Sequence, residues 1–565
     1  MRITISQLNL HIGNFEGNLA KMLAAVETAK SQQADLICFP ELAVCGYPAR
    51  DFFEFDDFIR RCQHSVDELR KVSHGIGIVV GSPTRNPVAA GKDLYNSAYF
   101  LYNGETIGIQ HKALLPTYDI FDECRYFEPA TAFKTVEFKG KRIALSICED
   151  IWNVGNENPL YTICPLDEMM HEKPDFILNL SASPFDYAHA ATRIQIAKVN
   201  VERYKIPMFY ANQVGGQTDV IFDGGSLVLS PDGSVFDEMP YFEECLKTYE
   251  LEEVIRFSYA QKSGAVGDKP SFAKASAGKA GKQPKIKIQL IHDALVLGIR
   301  DYFQKLGFKK AILGLSGGID SAVTAVLAVK ALGPENVRVL LMPSQFSSGH
   351  SVDDAKQLAE TLGIQYDIVA IKPMYDAFEA ALAQQFAGQP FNVTEENIQA
   401  RVRGTLLMAM SNKFGHILLN TTNKSEMSVG YGTLYGDMCG GIAVLGDVYK
   451  TEIYELVKYL NNDGEVVPQN TITKPPSAEL RPGQKDTDSL PPYEVLDPLL
   501  FQYIECRKGP NELIAMGFEE ALVKRVLRMV NINEFKREQA APVIRVSTKA
   551  FGMGRRMPIV GKYLS

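Results

Sequence analysis

Before about Tyr259 the chain alternates short β-branched hydrophobic runs with amphipathic stretches. The runs are "ADLICFP" (34–40), "GIGIVVGS" (75–82), "KRIALSIC" (141–148), "PDFILNLSAS" (174–183) and "IPMFYAN" (206–212). Each has the length and composition of a buried strand, whereas "GNLAKMLAAVETAKSQ" (17–32) has helical spacing. Some runs are separated by helical stretches and others follow hairpin to hairpin, so the pattern predicts layered α/β. From Gln261 to Lys287 large apolar residues almost vanish in favour of Gly, Ala, Ser and Lys, which predicts an exposed linker. Beyond it, "IQLIHDALVLGIRDYFQKLG" (288–307) is helical in period. "KAILGLS", "NVRVLLMPS" and "QYDIVAI" then alternate with helical stretches, as in a parallel doubly wound sheet. In 472–494 prolines and charges interrupt all periodicity, which predicts a second mobile stretch. The expected division is 1–260, a linker 261–287, and 288–565.

Composition narrows the class. The 565 residues are 46% hydrophobic and 22% charged, ordinary for a globular protein of two large or three small domains. The net charge of −8 provides no global positive field, so a nucleic acid polymer is not an expected partner. Nine cysteines without a C-x-x-C pair suggest neither a disulfide framework nor a zinc ribbon. "MRITISQLNL" starts at once as a strand, and no apolar run is long enough to span a bilayer. A cytoplasmic protein with no membrane partner is expected.

Two regions combine residues that carry chemistry. In "AILGLSGGIDSAV" (311–323) a strand-like run enters a turn with Gly314, Ser316, Gly317 and Gly318, and Asp320 and Ser321 open a helical stretch. Such a unit aims backbone N–H groups and a helix N-terminus at one point, where an anion is favoured. The lysine of G-x-x-x-x-G-K-[ST] is missing. A carboxylate beside a phosphate cradle makes sense if magnesium bridges them, which suits a leaving pyrophosphate and attack at an α-phosphate. In the N-terminal half, "FPELAVCGYP" places Glu41 just past a buried strand and "QHKALLPTYDIFDECRYFEP" places Lys112 before a loop. "ALSICEDIW" places Cys148 at a strand end, followed by Glu149 and Asp150. A thiol becomes a nucleophile when a base takes its proton and a cation holds the charge, roles that Glu and Lys supply.

These motifs carry resemblances. "LGLSGGIDSA" resembles the PP-loop ATP pyrophosphatase family, whose members activate an oxygen as an adenylate. "NIQARVRGTLLMAMSN", "LLNTTNKSEMSVGYGTLYGDMCGG", "DVYKTEIYELVKYL" and "INEFKREQAAPVIRVS" look like the corresponding segments of NAD synthetases. By that resemblance the ATP site would comprise Gly314, Leu315, Ser316, Gly317, Gly318, Ile319, Asp320 and Ser321 with Thr421 or Thr422. Asp320 and Glu426 would hold Mg2+. Asn397, Arg401, Arg403, Glu426, Asp437, Lys450 and Lys536 would serve deamido-NAD.

Residues 1–255 resemble the nitrilase (carbon–nitrogen hydrolase) superfamily. That implies Glu41 as general base, Lys112 at the oxyanion and Cys148 as the nucleophile that forms an acyl-enzyme. Tyr118, Ser183, His189 and Glu123 fall where glutaminase members would surround glutamine, although lysine is expected at position 189. Trp152, the only tryptophan, is expected to pack the wall of that site. The implied architecture is a nitrilase-like α-β-β-α sandwich followed by a doubly wound parallel-sheet domain. The implied activity is a glutaminase feeding ammonia to an ATP-dependent amidation of deamido-NAD, and both families imply a homo-oligomer. The catalytic residues alone leave room for another amidotransferase, or for an inert protein of nitrilase architecture.

Overall fold

The computed structural model describes residues 1–88, 90–156, 160–262 and 287–561. The expected linker therefore lies outside the described residues except at its ends. The chain divides into two compact units, Met1–Pro284 and Lys285–Ser565.

The first unit is built on two six-stranded sheets. One runs in the order Cys245–Glu250, Arg2–Gln7, Leu36–Cys38, Gly77–Arg85, Leu94–Tyr102, Glu105–His111. The other runs Val235–Glu238, Leu227–Leu229, Met208–Asn212, Phe176–Ser181, Lys141–Ile147, Val136–Phe138. Successive strand residues point to opposite faces, and this period sorts the hydrophobic groups into layers. Ile143, Leu145 and Ile147 meet Ile3, Ile5, Leu36 and Val79 in the core between the sheets. Ala144 and Ile177 face the other way, against Ala197 and Val201 of the helix His189–Tyr204. On the outside of the first sheet, Met22, Val26, Ile59, Cys62 and Val66 of Phe15–Ser31 and Asp56–Lys71 cover Ile37, Ile78 and Val80. The result is an α-β-β-α sandwich.

The second unit carries a five-stranded sheet, all parallel, in the order Gln365–Ile368, Val337–Leu341, Ala311–Gly314, Ile417–Asn420, Ile442–Ala443. The first strand in sequence is central and the chain winds out to either side, which makes a crevice at the strands' carboxyl ends. Helix Val393–Phe414 lays Leu407 against Ile312, Leu340 and Leu418 of the sheet. Helices after Lys424 build a separate apolar cluster around Leu496, Leu500, Val526 and Val530. No helix among the described residues is long and apolar enough to cross a membrane.

Candidate active sites

In the first unit the three predicted side chains project from the ends of three strands. Glu41 follows Leu36–Cys38, Lys112 follows Glu105–His111 and Cys148 follows Lys141–Ile147; all three are buried. Glu41 sits where the chain turns against the neighbouring strand. A Cβ on Gly81 would lie 2.3 Å from the Leu42 nitrogen and 2.8 Å from the Glu41 Cα, so only glycine allows this approach. Lys112 Nζ donates to Glu41 Oε1 at 2.7 Å and to Glu123 Oε1 at 2.8 Å. Asn96 Nδ2 donates to Glu41 Oε1 at 2.7 Å, the Ala182 N–H to Glu41 Oε2 at 3.0 Å, and the Tyr47 hydroxyl to Glu123 at 2.8 Å. Cys148 adopts φ 43°, in the left-handed region that costs a non-glycine residue about 1–3 kcal/mol and is found at functional sites.

Electrostatics follows from that packing. Burial works against the Lys112 charge, but Glu123 and Glu41 outweigh it and hold the ammonium well above its ordinary range. Burial, with Glu41 nearby, pushes Glu123 up to about 7 despite Lys112. The Cys148 thiol is also pushed well up, by burial and then by Glu41. A thiol raised in this way holds its proton at neutral pH, so a base must remove it during reaction, the part that the resemblance gives to Glu41.

Around this cluster, the Tyr118 hydroxyl donates to Glu149 Oε1 at 2.9 Å and the Tyr161 hydroxyl donates to the same oxygen at 2.6 Å. Ser183 Oγ lies 2.9 Å from His189 Nε2, and the His189 ring stacks on Trp152 at 5.3 Å. Glu123 belongs with Lys112 rather than with these groups. Asn96 and Tyr47 were not singled out from the sequence. The available signal was a lone asparagine in the aromatic strand "LYNSAYFLY".

The second site is a cleft of about 310 Å³ at the carboxyl ends of the parallel strands. Gly314, Leu315, Ser316, Gly318, Ile319, Asp320 and Ser321 line one side, with Thr421, Thr422, Glu426, Arg403, Asp437 and Lys450 around them. The turn is tight: Ser316 Oγ and Ser321 Oγ are 3.1 Å apart, and the Gly318 N–H donates to Ser316 Oγ at 3.1 Å. Gly317 has φ 81° and a Cβ there would meet the Ser351 carbonyl at 2.2 Å, so its role is to make the turn.

Lys450 does not stand free for a substrate. Its ammonium pairs with Asp320 and lies 3.8 Å from Glu426, between the two carboxylates expected to hold a cation. Burial, then repulsion from Asp320, pushes Glu426 up to about 8. Arg403 gives its Nε to the Met342 carbonyl at 3.1 Å, and burial lowers its pKa to about 10. Asn397, Arg401 and Lys536 do not line the cleft. They hold the segment 430–437: Asn397 accepts from Thr433 at 2.8 Å, Arg401 donates to the Leu434 carbonyl at 3.3 Å, and Lys536 donates to the carbonyls of Gly430 and Gly432 at 2.8 Å. Asp437 accepts from the Thr433 N–H at 2.5 Å and also faces the cleft.

The stretch expected to be mobile forms part of the wall instead. Lys474, Ser477, Glu479, Leu480 and Asp486 line the cleft, and Glu479 and Leu480 accept hydrogen bonds from Ser351 and Gln399 at 2.7 and 2.9 Å. Nearby, Lys424 is fully buried and bonded to Asp447 (2.9 Å), Glu505 (2.8 Å) and Ser547 (2.7 Å). This ties residues near the end of the chain to the turn that carries Glu426.

A buried Cys, Glu and Lys on an α-β-β-α sandwich, joined in one chain to a glycine-turn nucleotide cleft, define an amidase of the carbon–nitrogen hydrolase type fused to a PP-loop synthase. The carbon-nitrogen hydrolase family matches residues 2–162 and the NAD synthase family matches residues 291–540. The chain belongs to the glutamine-dependent NAD(+) synthetase family. It is 43% identical to the glutamine-dependent NAD(+) synthetase of Synechocystis sp., with 99% of this chain and 98% of the relative covered. It is 39% identical to the one from Thermotoga maritima, over 100% and 99% of the two chains. The solved structure of glutamine-dependent NAD+ synthetase from Acinetobacter baumannii in complex with adenosine diphosphate is 37% identical, covers 100% of this chain and 99% of that one, and superposes with a TM-score of 0.76.

Proposed function

We propose that this chain converts deamido-NAD, ATP, glutamine and water into NAD, AMP, pyrophosphate and glutamate. Residues 1–260 act as the glutaminase, 288–565 as the synthetase, and 261–287 join them. The observation that carries this reading is the buried Lys112 between Glu41 and Glu123, on the same chain as an acid-lined nucleotide cleft.

In the glutaminase, Glu41 takes the Cys148 proton as sulfur attacks the carboxamide carbon. An ammonium has three N–H donors. Two of those of Lys112 are engaged by Glu41 and Glu123, which leaves the third for the developing oxyanion. Glu41 returns the proton to the leaving nitrogen, ammonia departs, and water attacks the thioester to release glutamate. Tyr118, Ser183 and His189 hold the substrate. Glu123 keeps Lys112 oriented.

In the synthetase, the turn Gly314–Ser321 and Thr421 bind ATP, and Arg403 meets a substrate phosphate. The nicotinate carboxylate attacks the α-phosphorus and pyrophosphate leaves. Ammonia then attacks the acyl carbon and AMP leaves. Asn397, Arg401, Asp437 and Lys536 serve the dinucleotide by shaping the segment 430–437. Asp320 and Glu426 are hard oxygen donors on the cleft wall that already share one cation, the Lys450 ammonium, so these two residues would hold Mg2+. The ion would neutralise the phosphates and the leaving pyrophosphate. Lys450 supplies part of that charge before ATP binds. Free ammonia in neutral water is mostly ammonium, so the nitrogen passes between the sites shielded from solvent. The enzyme works in the cytoplasm as a homo-oligomer.

The test is NAD synthesis by wild type and Cys148→Ala with glutamine or ammonium as donor. The variant should lose glutamine-driven synthesis and keep ammonium-driven synthesis. Glutamine-driven NAD formation by the variant would refute the assignment.

A further inference from the structure

Within the turn that follows the nucleophile, Asp150 is buried and takes its hydrogen bonds from backbone. Its Oδ1 accepts the N–H groups of Ala113 at 3.0 Å and Leu114 at 2.9 Å, and its Oδ2 accepts that of Ile147 at 3.1 Å. The first two residues follow Lys112 directly; the third precedes Cys148. One rigid, planar carboxylate thus joins the two segments that carry the oxyanion cation and the nucleophile.

Those segments belong to different sheets. Lys112 follows the edge strand Glu105–His111 of the first sheet, and Cys148 follows Lys141–Ile147 of the second. The sheets meet through apolar side chains such as Phe100, Val136 and Leu145. Apolar contact is non-directional and sets no register to a fraction of an ångström. Hydrogen bonds to a carboxylate are directional and short, and do so.

We infer that Asp150 is a positioning residue of the glutaminase reaction, setting the separation of Lys112 Nζ and Cys148 Sγ by clamping Ala113 and Leu114 to Ile147. The inference rests on the roles given above to Lys112 and Cys148. Burial pushes the Asp150 carboxyl up to about 6 against these three bonds, so near pH 8 both oxygens are acceptors. An asparagine cannot replace it: its amide nitrogen would face an N–H on one side or two on the other. A glutamate keeps the charge and the acceptors but adds a methylene, roughly 1.5 Å of reach.

The experiment compares full-length wild type, Cys148→Ala, Asp150→Asn and Asp150→Glu at pH 8. Glutamine-driven and ammonium-driven NAD synthesis are measured, with the thermal transition of tryptophan emission. Trp152, the only tryptophan, lies four residues past the nucleophile and reports the folding of this unit alone. Both Asp150 variants should fold and lower the glutamine-driven kcat by on the order of 100-fold. The KM for glutamine should stay within about threefold and ammonium-driven synthesis should be unaffected. A glutamine-driven kcat within about threefold of wild type in either folded variant overturns the inference, as does a loss carried by KM. Failure of both variants to fold also overturns it, because Asp150 is then a folding residue. If Cys148→Ala retains glutamine-driven synthesis, the glutaminase assignment itself fails, a result separate from any Asp150 outcome.

Discussion

Replacing Gly81 by alanine tests how closely Glu41, the proposed general base, depends on its packing. The added Cβ would sit 2.3 Å from the Leu42 nitrogen and 2.8 Å from the Glu41 Cα and carbonyl carbon. Both neighbours are backbone, so neither can swing aside as a side-chain tip would. Ordinary contact begins near 3.4 Å, so the turn at Glu41 must move by about 1 Å (3.4 − 2.3). Glu41 is fully buried and bonded to Lys112, Asn96 and the Ala182 N–H, and a displacement of that size breaks the alignment of at least one of these bonds. A misplacement of about 1 Å in a catalytic group costs roughly 100-fold in rate, which is about 2.7 kcal/mol. Overpacking should also lower the stability of the unit by about 1–3 kcal/mol. The assay is glutamine-driven against ammonium-driven NAD synthesis, well below the melting temperature. Gly81→Ala should lose about two decades in the first and nothing in the second. Glutamine-driven synthesis within about threefold of wild type would refute the claim that this glycine positions the base.

Two further outcomes follow from the electrostatics. Glu123 has an ordinary pKa of 4.5 when unfolded and about 7 when folded, so the folded state binds the extra proton between these values and this carboxyl's contribution to stability falls as pH rises from about 4.5 to about 7. The melting temperature of Glu123→Gln, followed by Trp152 emission, should therefore gain on wild type between pH 5 and 7 and run parallel above; a constant difference would contradict the raised pKa. Arg403→Ala removes a buried guanidinium from the nucleotide cleft; a charge-assisted hydrogen bond is worth about 1.5–3 kcal/mol, so KM for the dinucleotide or for ATP in ammonium-driven synthesis should rise roughly 10- to 150-fold. Both values within twofold of wild type would exclude a phosphate contact.

Much of this was legible in the residues. Strand-length runs with β-branched residues mark the sheets; Glu41 and Cys148 stand out because each lies at the end of such a run, and Lys112 because it precedes a loop. The glycine turn before Ile319 was legible for the same reason. Contacts between distant segments were not. Lys450 finds Asp320 130 residues away, and no spacing signals that pair. The charge of Arg401 and Lys536 can be read along the chain, whereas the carbonyls they meet cannot. Broken periodicity in the proline-rich stretch after 472 reports the absence of regular structure, and not the absence of partners. Ser351 and Gln399, which hold it, lie far upstream.

The bonds of Lys424 impose an order in time on a chain made from its N-terminus. Lys424 leaves the ribosome 123 residues before Ser547, its partner near the end of the chain. At about 5–20 residues per second that interval is roughly 6–25 s. Until it has passed, a lysine destined for complete burial has only part of its shell. The N-terminal sandwich has its strands by Glu250 and can close long before. The unit that carries Cys148 can thus be complete while the unit that carries Glu426 is still being built.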